Sequence, residues 1–299
     1  VRSNFLKFLE RIWLYKLSEK EMLNNYDRPF FFYGISLFLP WSFWFIAAYI
    51  SHLPNHNEYI IWQGILSILG LITPMLTAAY LFISKPVLFN DLKNRFLGFK
   101  HIRARYLLLS VFMTFTALIV AQLFSVFIGH DLSQFYISGK ASFDSVLFSP
   151  WFLLAFAALA EELAWHSYGT DALYSKMNLF NASLVFSLYW AFWHLPLAFI
   201  KGYYHSYLIV QGWQYTLNFI VSMIIFVILM NWLYFKTGRS IMIAVLFHMT
   251  ANVSNEIFAT HPDSKIIQTI ILLCVTIFIL IREKQLFFTK FSNSNEEKI

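Results

Sequence analysis

Apolar stretches long enough to cross a bilayer recur along this chain, and they constrain the fold more than any other feature. Crossing a hydrocarbon core of ~30 Å takes about 20 helical residues. Such runs are read at about 29–50, 59–84, 104–129, 150–173, 182–200, 213–235, 240–258 and 265–281. Inside lipid every backbone N–H and C=O must be satisfied locally, so each run is expected as a helix. The expected fold is therefore all-α: a polytopic integral membrane protein of about eight transmembrane helices. Only 13% of residues are charged, about half the share in a soluble domain. The lone cysteine, Cys274, lies within an apolar run, which excludes a disulfide framework and a Cys-based metal site.

The net charge of +6 could suggest a nucleic-acid partner, but the basic residues sit between the apolar runs. That is the pattern of membrane topology, so the expected partner is the lipid bilayer and no nucleic acid. With eight spans, nineteen of the 22 Lys and Arg fall on one side, and Lys140, Lys201 and Lys265 fall on the other. The positive-inside rule makes the rich side cytoplasmic and puts both termini there. Residues 1–28 read as an interfacial segment, because Phe5, Phe8, Leu9, Ile12 and Trp13 recur at helical spacing between basic residues. Residues 29–142 hold the first three spans, 143–281 hold spans four to eight with Glu161, Glu162, His194, His248 and Asn252, and 282–299 form a cytoplasmic tail. Enrichment in Lys, Asn, Ile and Phe suits a low-GC bacterium, so the expected location is the bacterial cell membrane.

Adjacent carboxylates interrupt the fourth span, in AEELAWHSYG, at Glu161 and Glu162. A charge at mid-bilayer costs ~2.5–3.5 kcal/mol on insertion scales, so such residues mark functional sites by default. Ser149-Pro150 is a good helix start. At 1.5 Å per residue Glu161 is then ~17 Å deep. Asn181 is the expected cap of the next span, which puts His194 ~18 Å from the opposite edge, and His248 and Asn252 lie ~12 and ~18 Å along theirs. Three helices thus bring polar groups to one layer. Glu162 and His166 share a helical face, as do Trp190 with His194 and His248 with Asn252. Glu161 points about 100° away from Glu162, so the two carboxylates cannot do the same work. Pro196 disfavours helix at Leu195 and is expected to bend the chain beside His194.

Such a set could carry out hydrolysis. An ionised Glu takes a proton from water, one His holds that water, and a second His with an Asn donates to the developing oxyanion. A metal site is the competing arrangement: Glu161, His194 and His248 could hold Zn with one position open for water. Intramembrane carboxylates also serve transporters, although no internal repeat of the kind common in transporters is visible. His52, His56, His101, His130, His205 and His261 lie near span ends and are expected to be solvated or interfacial.

Three motifs, AEELAWHSYG, YWAFWHLP and AVLFHMTANVS, follow one another on successive polar spans. In that order they resemble the CPBP family of intramembrane proteases, the CAAX protease and bacteriocin-processing group also called Abi or Rce1-like. The resemblance covers about residues 143–260. It implies that Glu161 is the general base, with Glu162 in a supporting role. It further implies that His194 positions the water and that His248 and Asn252 form the oxyanion site. The substrate it implies is a membrane-associated protein or peptide. The family often carries the label metalloprotease, and the resemblance does not decide whether a metal takes part. Two positions depart from the family pattern. His166 stands where the first motif has Arg, and Trp190 stands where the second has Phe. Arg is permanently charged and His titrates near neutrality, so His166 puts activity in question. Trp190 is expected to shape a wall with little further consequence. A non-catalytic member acting in peptide immunity is the alternative that the His166 change would suit.

Overall fold

The computed structural model describes residues 19–98, 102–139, 141, 143 and 145–289. The interfacial segment expected before residue 19 and the last ten residues of the tail lie outside the described residues. No strand occurs among the described residues, which hold one isolated β-bridge, between Ile137 and Phe258. A short α1 (Glu19–Leu23) leads into α2 (Pro29–Ser51) and α3 (Ile60–Ser84), which form an antiparallel pair. Then come α4 (Pro86–Leu97), α5 (Ala104–Phe127) and α6 (Pro150–Ala164), with α6 running into a π-helical turn, Trp165–Gly169, and α7 (Thr170–Tyr174). The chain continues through α8 (Leu179–Trp193), a 3₁₀ turn (Leu195–Phe199), α9 (Tyr204–Gln211), α10 (Trp213–Lys236), α11 (Ile241–Ile257), α12 (Pro262–Arg282) and α13 (Lys284–Phe288).

Helical segments occupy all eight expected runs. Six are long and apolar enough to cross a membrane. The remaining two are the interrupted α6–α7 segment and the 17-residue α11, and these carry the carboxylates, His248 and Asn252. The protein is thus an all-α integral membrane protein in which the most polar helices are the inner ones: α11 packs on α5, α6 and α10, and α6 also packs on α3. Large apolar side chains such as Phe30, Phe127 and Ile83 point outward and are 94%, 87% and 79% exposed, a surface suited to lipid and not to water. Pro29, Pro86, Pro150 and Pro262 open their helices, where a missing N–H costs nothing.

Several local expectations are corrected. The basic stretch 85–103, between two of the expected spans, contains α4, whose Asp91 and Arg95 turn inward and are buried. Ser149 stands at the start of α6 but makes no side-chain capping bond. The next span is capped one turn earlier than expected: Asn178 Oδ1, and not Asn181, accepts, from the Asn181 N–H at 2.8 Å. The fourth span is not one continuous α-helix. A π turn, a rare form concentrated at functional sites, follows directly after the Glu pair. Pro196 does end α8, and His194 sits at the cap, where the backbone changes to 3₁₀.

The π turn is held by an aromatic shell. The Trp165 ring meets Phe32, Phe186 and Trp193 at centroid distances of 5.9, 5.6 and 5.4 Å. Each such pair adds about 0.5–1.5 kcal/mol beyond the area it buries. Gly169 closes the turn against α2. A Cβ there would stand 2.8 Å from Tyr33 Oη and 2.9 Å from Phe32 Cε1, so only glycine allows this approach.

Candidate active site

Glu161 and Glu162 leave α6 in different directions, as their 100° offset requires. Glu161 lines a cavity of about 860 Å³ together with Trp190, His194, His248 and Asn252. Its Oε2 accepts from Trp190 Nε1 at 2.8 Å and from Trp165 Nε1 at 3.2 Å. Both indoles are buried and fix the carboxylate while its Oε1 stays open to the cavity. Trp190 therefore does more than shape a wall. Its N–H is a donor that a phenylalanine cannot supply, which corrects the expectation that this aromatic change is of little consequence.

Glu162 faces away from the cavity and is fully buried. Its Oε1 accepts from His248 Nδ1 at 2.7 Å, and its Oε2 pairs with His166 Nδ1. The far nitrogen of His166, Nε2, lies 2.9 Å from Asn231 Oδ1, and Asn231 Nδ2 donates to Ser183 Oγ at 2.8 Å. With Asn231 oriented by its bond to Ser183, both ring nitrogens of His166 face acceptors. His166 thus bridges the Glu162 carboxylate and Asn231, at the place where the family pattern has an arginine. Asn231 lies on α10, outside the three motifs, and sequence reasoning missed it. An asparagine amid the apolar run FVILMNWLYF was its one visible trace.

His194 donates Nδ1–H to the Trp190 carbonyl at 2.7 Å, and His248 donates Nδ1–H to Glu162. In each ring this leaves Nε2 as the remaining functional nitrogen. Asn252 anchors through Nδ2 to the Leu154 carbonyl at 3.2 Å. His205, expected to be solvated or interfacial, lines the cavity from α9 and stacks on His194 with centroids 5.0 Å apart.

Whether Glu161, His194 and His248 fit a metal can be tested on their geometry. Histidine ligands usually donate their second N–H to a carbonyl or carboxylate, and both histidines do. The three ligand atoms are nevertheless not gathered: among the described residues, His130, His261 and Asp263 alone bring three such atoms within 4.8 Å of one another. The placement does not fit a metal, and the chemistry below is derived from the side chains.

Beneath the Glu162 layer lies a buried ionic cluster that the sequence did not reveal. Arg95 Nη1 donates to Asp171 Oδ2 at 2.9 Å, to Tyr234 Oη at 2.6 Å and to the His166 carbonyl at 3.1 Å. Its Nη2 donates to the Ser167 carbonyl at 2.8 Å and to Tyr26 Oη at 2.5 Å. Arg239 Nη2 donates to Asp171 Oδ2 at 2.5 Å and to Asp91 Oδ2 at 2.9 Å. Arg239 adopts a φ of 63° to turn inward, a left-handed conformation that costs of order 1–3 kcal/mol. Two guanidiniums and two carboxylates thus neutralise one another and clamp the π-turn carbonyls next to His166. Burial raises the Asp91 pKa, but the Arg95 and Arg239 charges outweigh it and hold the carboxyl below its ordinary range.

Residues 143–254 match the family described as type II CAAX prenyl endopeptidase, Rce1-like. The chain is also 31% identical over 272 residues to the CAAX prenyl protease 2 of Methanococcus maripaludis, covering 90% of this chain and 99% of that protein. The order of Glu pair, aromatic-His and His-Asn along three inner helices, and a likeness that spans nearly both chains, lead to one assignment: the chain belongs to the Rce1-like, CPBP-type family of membrane endopeptidases.

Proposed function

We propose that the protein cleaves a peptide bond of a membrane-associated protein or peptide, with Glu161 as the base that activates water. The observation that carries this reading is the asymmetric setting of Glu161. One oxygen is fixed by two indole N–H groups and the other opens to a cavity that His194, His248 and Asn252 also line. Water held between Glu161 Oε1 and His194 Nε2 loses a proton to the carboxylate as its oxygen bonds to the scissile carbonyl carbon. Negative charge gathers on the carbonyl oxygen. The imidazolium of His248, backed by the Glu162 carboxylate, donates to it through Nε2–H, and Asn252 on the same face assists. The C–N bond then breaks, and the proton on Glu161 passes to the departing amine. Glu162 never touches substrate in this scheme. It holds His248, while His166 and Asn231 hold Glu162.

The names of the matched family and relative suggest a lipid-tethered chain end as substrate, which a cavity within the bilayer would suit. Comparative mass spectrometry of peptides from cells carrying the wild-type chain or Glu161→Gln tests the reading. Products present only with wild type are expected. Identical profiles in cells that express the substrate would favour the non-catalytic alternative.

A further inference from the structure

Where α5 stops and α12 starts, three side chains with metal-binding atoms meet outside the set around Glu161. They are His130, His261 and Asp263, and the helix ends place all three. Gly129, at a φ of 102°, turns the chain out of α5, a conformation that favours glycine. The His130 N–H then closes on the Ser125 carbonyl at 3.1 Å. His261 is the N-cap of α12, and Asp263 lies in its first turn. The two segments are locked together beside the cluster. Gln122 Nε2 donates to the Gln134 carbonyl at 2.9 Å and to Thr260 Oγ1 at 3.0 Å, and Ser264 Oγ donates to Gln134 Oε1 at 2.6 Å. Gln122, Gln134 and Ser264 are buried, so the three side chains stand on a fixed base.

Distances within the cluster suit metal ligands better than hydrogen bonds. Asp263 Oδ2 lies 3.3 Å from His130 Nε2 and 3.6 Å from His261 Nδ1. A charge-assisted N–H···O bond is shorter, about 2.7–2.9 Å, and a separation of 3.6 Å is no hydrogen bond. Tetrahedral Zn²⁺, with bonds of about 2.0–2.2 Å, puts neighbouring ligand atoms about 3.4 Å apart. The imidazole centroids are 4.0 Å apart, which favours neutral rings, the form that binds metals. His261 Nδ1 accepts from the Asp263 N–H at 3.2 Å, so it carries no proton, and an ion would take over that lone pair. Tyr215 Oη donates to Asp263 Oδ1 at 2.9 Å and leaves Oδ2 to the histidines. Outer hydrogen bonds of this kind orient ligating carboxylates.

From this geometry we propose that His130 Nε2, His261 Nδ1 and Asp263 Oδ2 bind one divalent first-row transition ion. Zn²⁺ is the best match to two imidazoles and a carboxylate. All three side chains are partly exposed, so water can take the fourth position. The ion staples the end of α5 to the start of α12 and, through Tyr215, to the start of α10. Thr260, Pro262 and Lys265 beside the ligands line the cavity that Glu161 also lines, so the staple fixes part of its wall. The site does not rest on the protease reading, and no step of that chemistry passes through the ion.

The test uses the full chain without a polyhistidine tag, purified in detergent, stripped with a chelator and titrated with ZnCl₂ by calorimetry. One Zn²⁺ per chain is expected, with a rise in the unfolding midpoint. His130→Ala and Asp263→Asn should abolish both effects while the metal-free midpoint stays near wild type. Tyr215→Phe should weaken binding about 10- to 100-fold, and Glu161→Gln should bind as wild type does. Co²⁺ on the wild-type chain should give the visible absorption of a tetrahedral nitrogen and oxygen site, a readout that needs no variant. Absence of binding by the wild-type chain would overturn the proposal. So would binding that survives His130→Ala. Binding lost with Glu161→Gln would overturn it too and move the ion to the cavity residues.

Discussion

Trp190 Nε1 stands 2.8 Å from Glu161 Oε2, so a residue of the second motif directly orients the carboxylate of the first. Trp190→Phe keeps the buried ring and removes only the donor. A hydrogen bond to a charged group is worth about 1.5–3 kcal/mol. The expected result is a fall in kcat of roughly 10- to 100-fold with KM little changed. Steady-state kinetics on the natural substrate checks it. A wild-type kcat would show that the indole serves packing alone.

Glu161→Gln keeps the two indole contacts within reach and removes the proposed base. Loss of a positioned general base costs typically 10²–10⁴-fold. Cleavage should fall by that much while the thermal unfolding midpoint stays close to wild type, measured in detergent by intrinsic fluorescence.

His166→Ala should act differently, because it strips a buried carboxylate of a partner. Breaking a buried pair costs about 3–5 kcal/mol. A large drop in the unfolding midpoint is expected together with lost activity. Asn231→Leu leaves one histidine N–H unsatisfied and should cost less, about 1–3 kcal/mol. Equal effects for the two variants would contradict the layered arrangement.

Much of this site was legible in the sequence, and for physical reasons. Carboxylates are so costly in lipid that their positions alone fix attention on one layer, and spacing of four residues correctly places Glu162 with His166. Offset by 100° correctly separates Glu161 from Glu162. What stayed hidden depends on contacts between distant segments. Arg95 reads as one basic residue among six between two spans, and only folding of α4 against α7 brings it to Asp171. Asp171 in turn passed unnoticed inside an expected span. The donor role of Trp190 was missed because an aromatic in an apolar run reads first as packing. The π turn has no periodicity that sequence reasoning could separate from an α-helix.

Acid should loosen the cluster behind the site. The Asp91 carboxyl is held below its reference value of 3.8. Its contribution to stability is therefore present above that value and lost as pH falls below it toward the folded-state pKa. Asp91→Asn should lower the midpoint at neutral pH and flatten the acid limb of a midpoint-against-pH curve. An unchanged acid limb would assign acid sensitivity to other carboxylates.

Gly169→Ala tests the approach of the π turn to α2. Its Cβ would stand 2.9 Å from the buried Phe32 ring. Overpacking of this kind costs typically 1–3 kcal/mol. A lowered midpoint is expected, and activity should fall with it, because Trp165 and His166 belong to the same turn.

The partners of the Glu162 layer and the ionic cluster enter the chain at very different times. Asp91 and Arg95 are made first, the carboxylates and His166 next, and Asn231, Arg239 and His248 only near the end. A nascent chain halted before residue 231 would carry Glu161 and the first motif in full, yet Glu162 and Asp171 would still lack the partners that the later helices bring. On the proposed mechanism the site is thus incomplete until the last inner helix has joined the bundle.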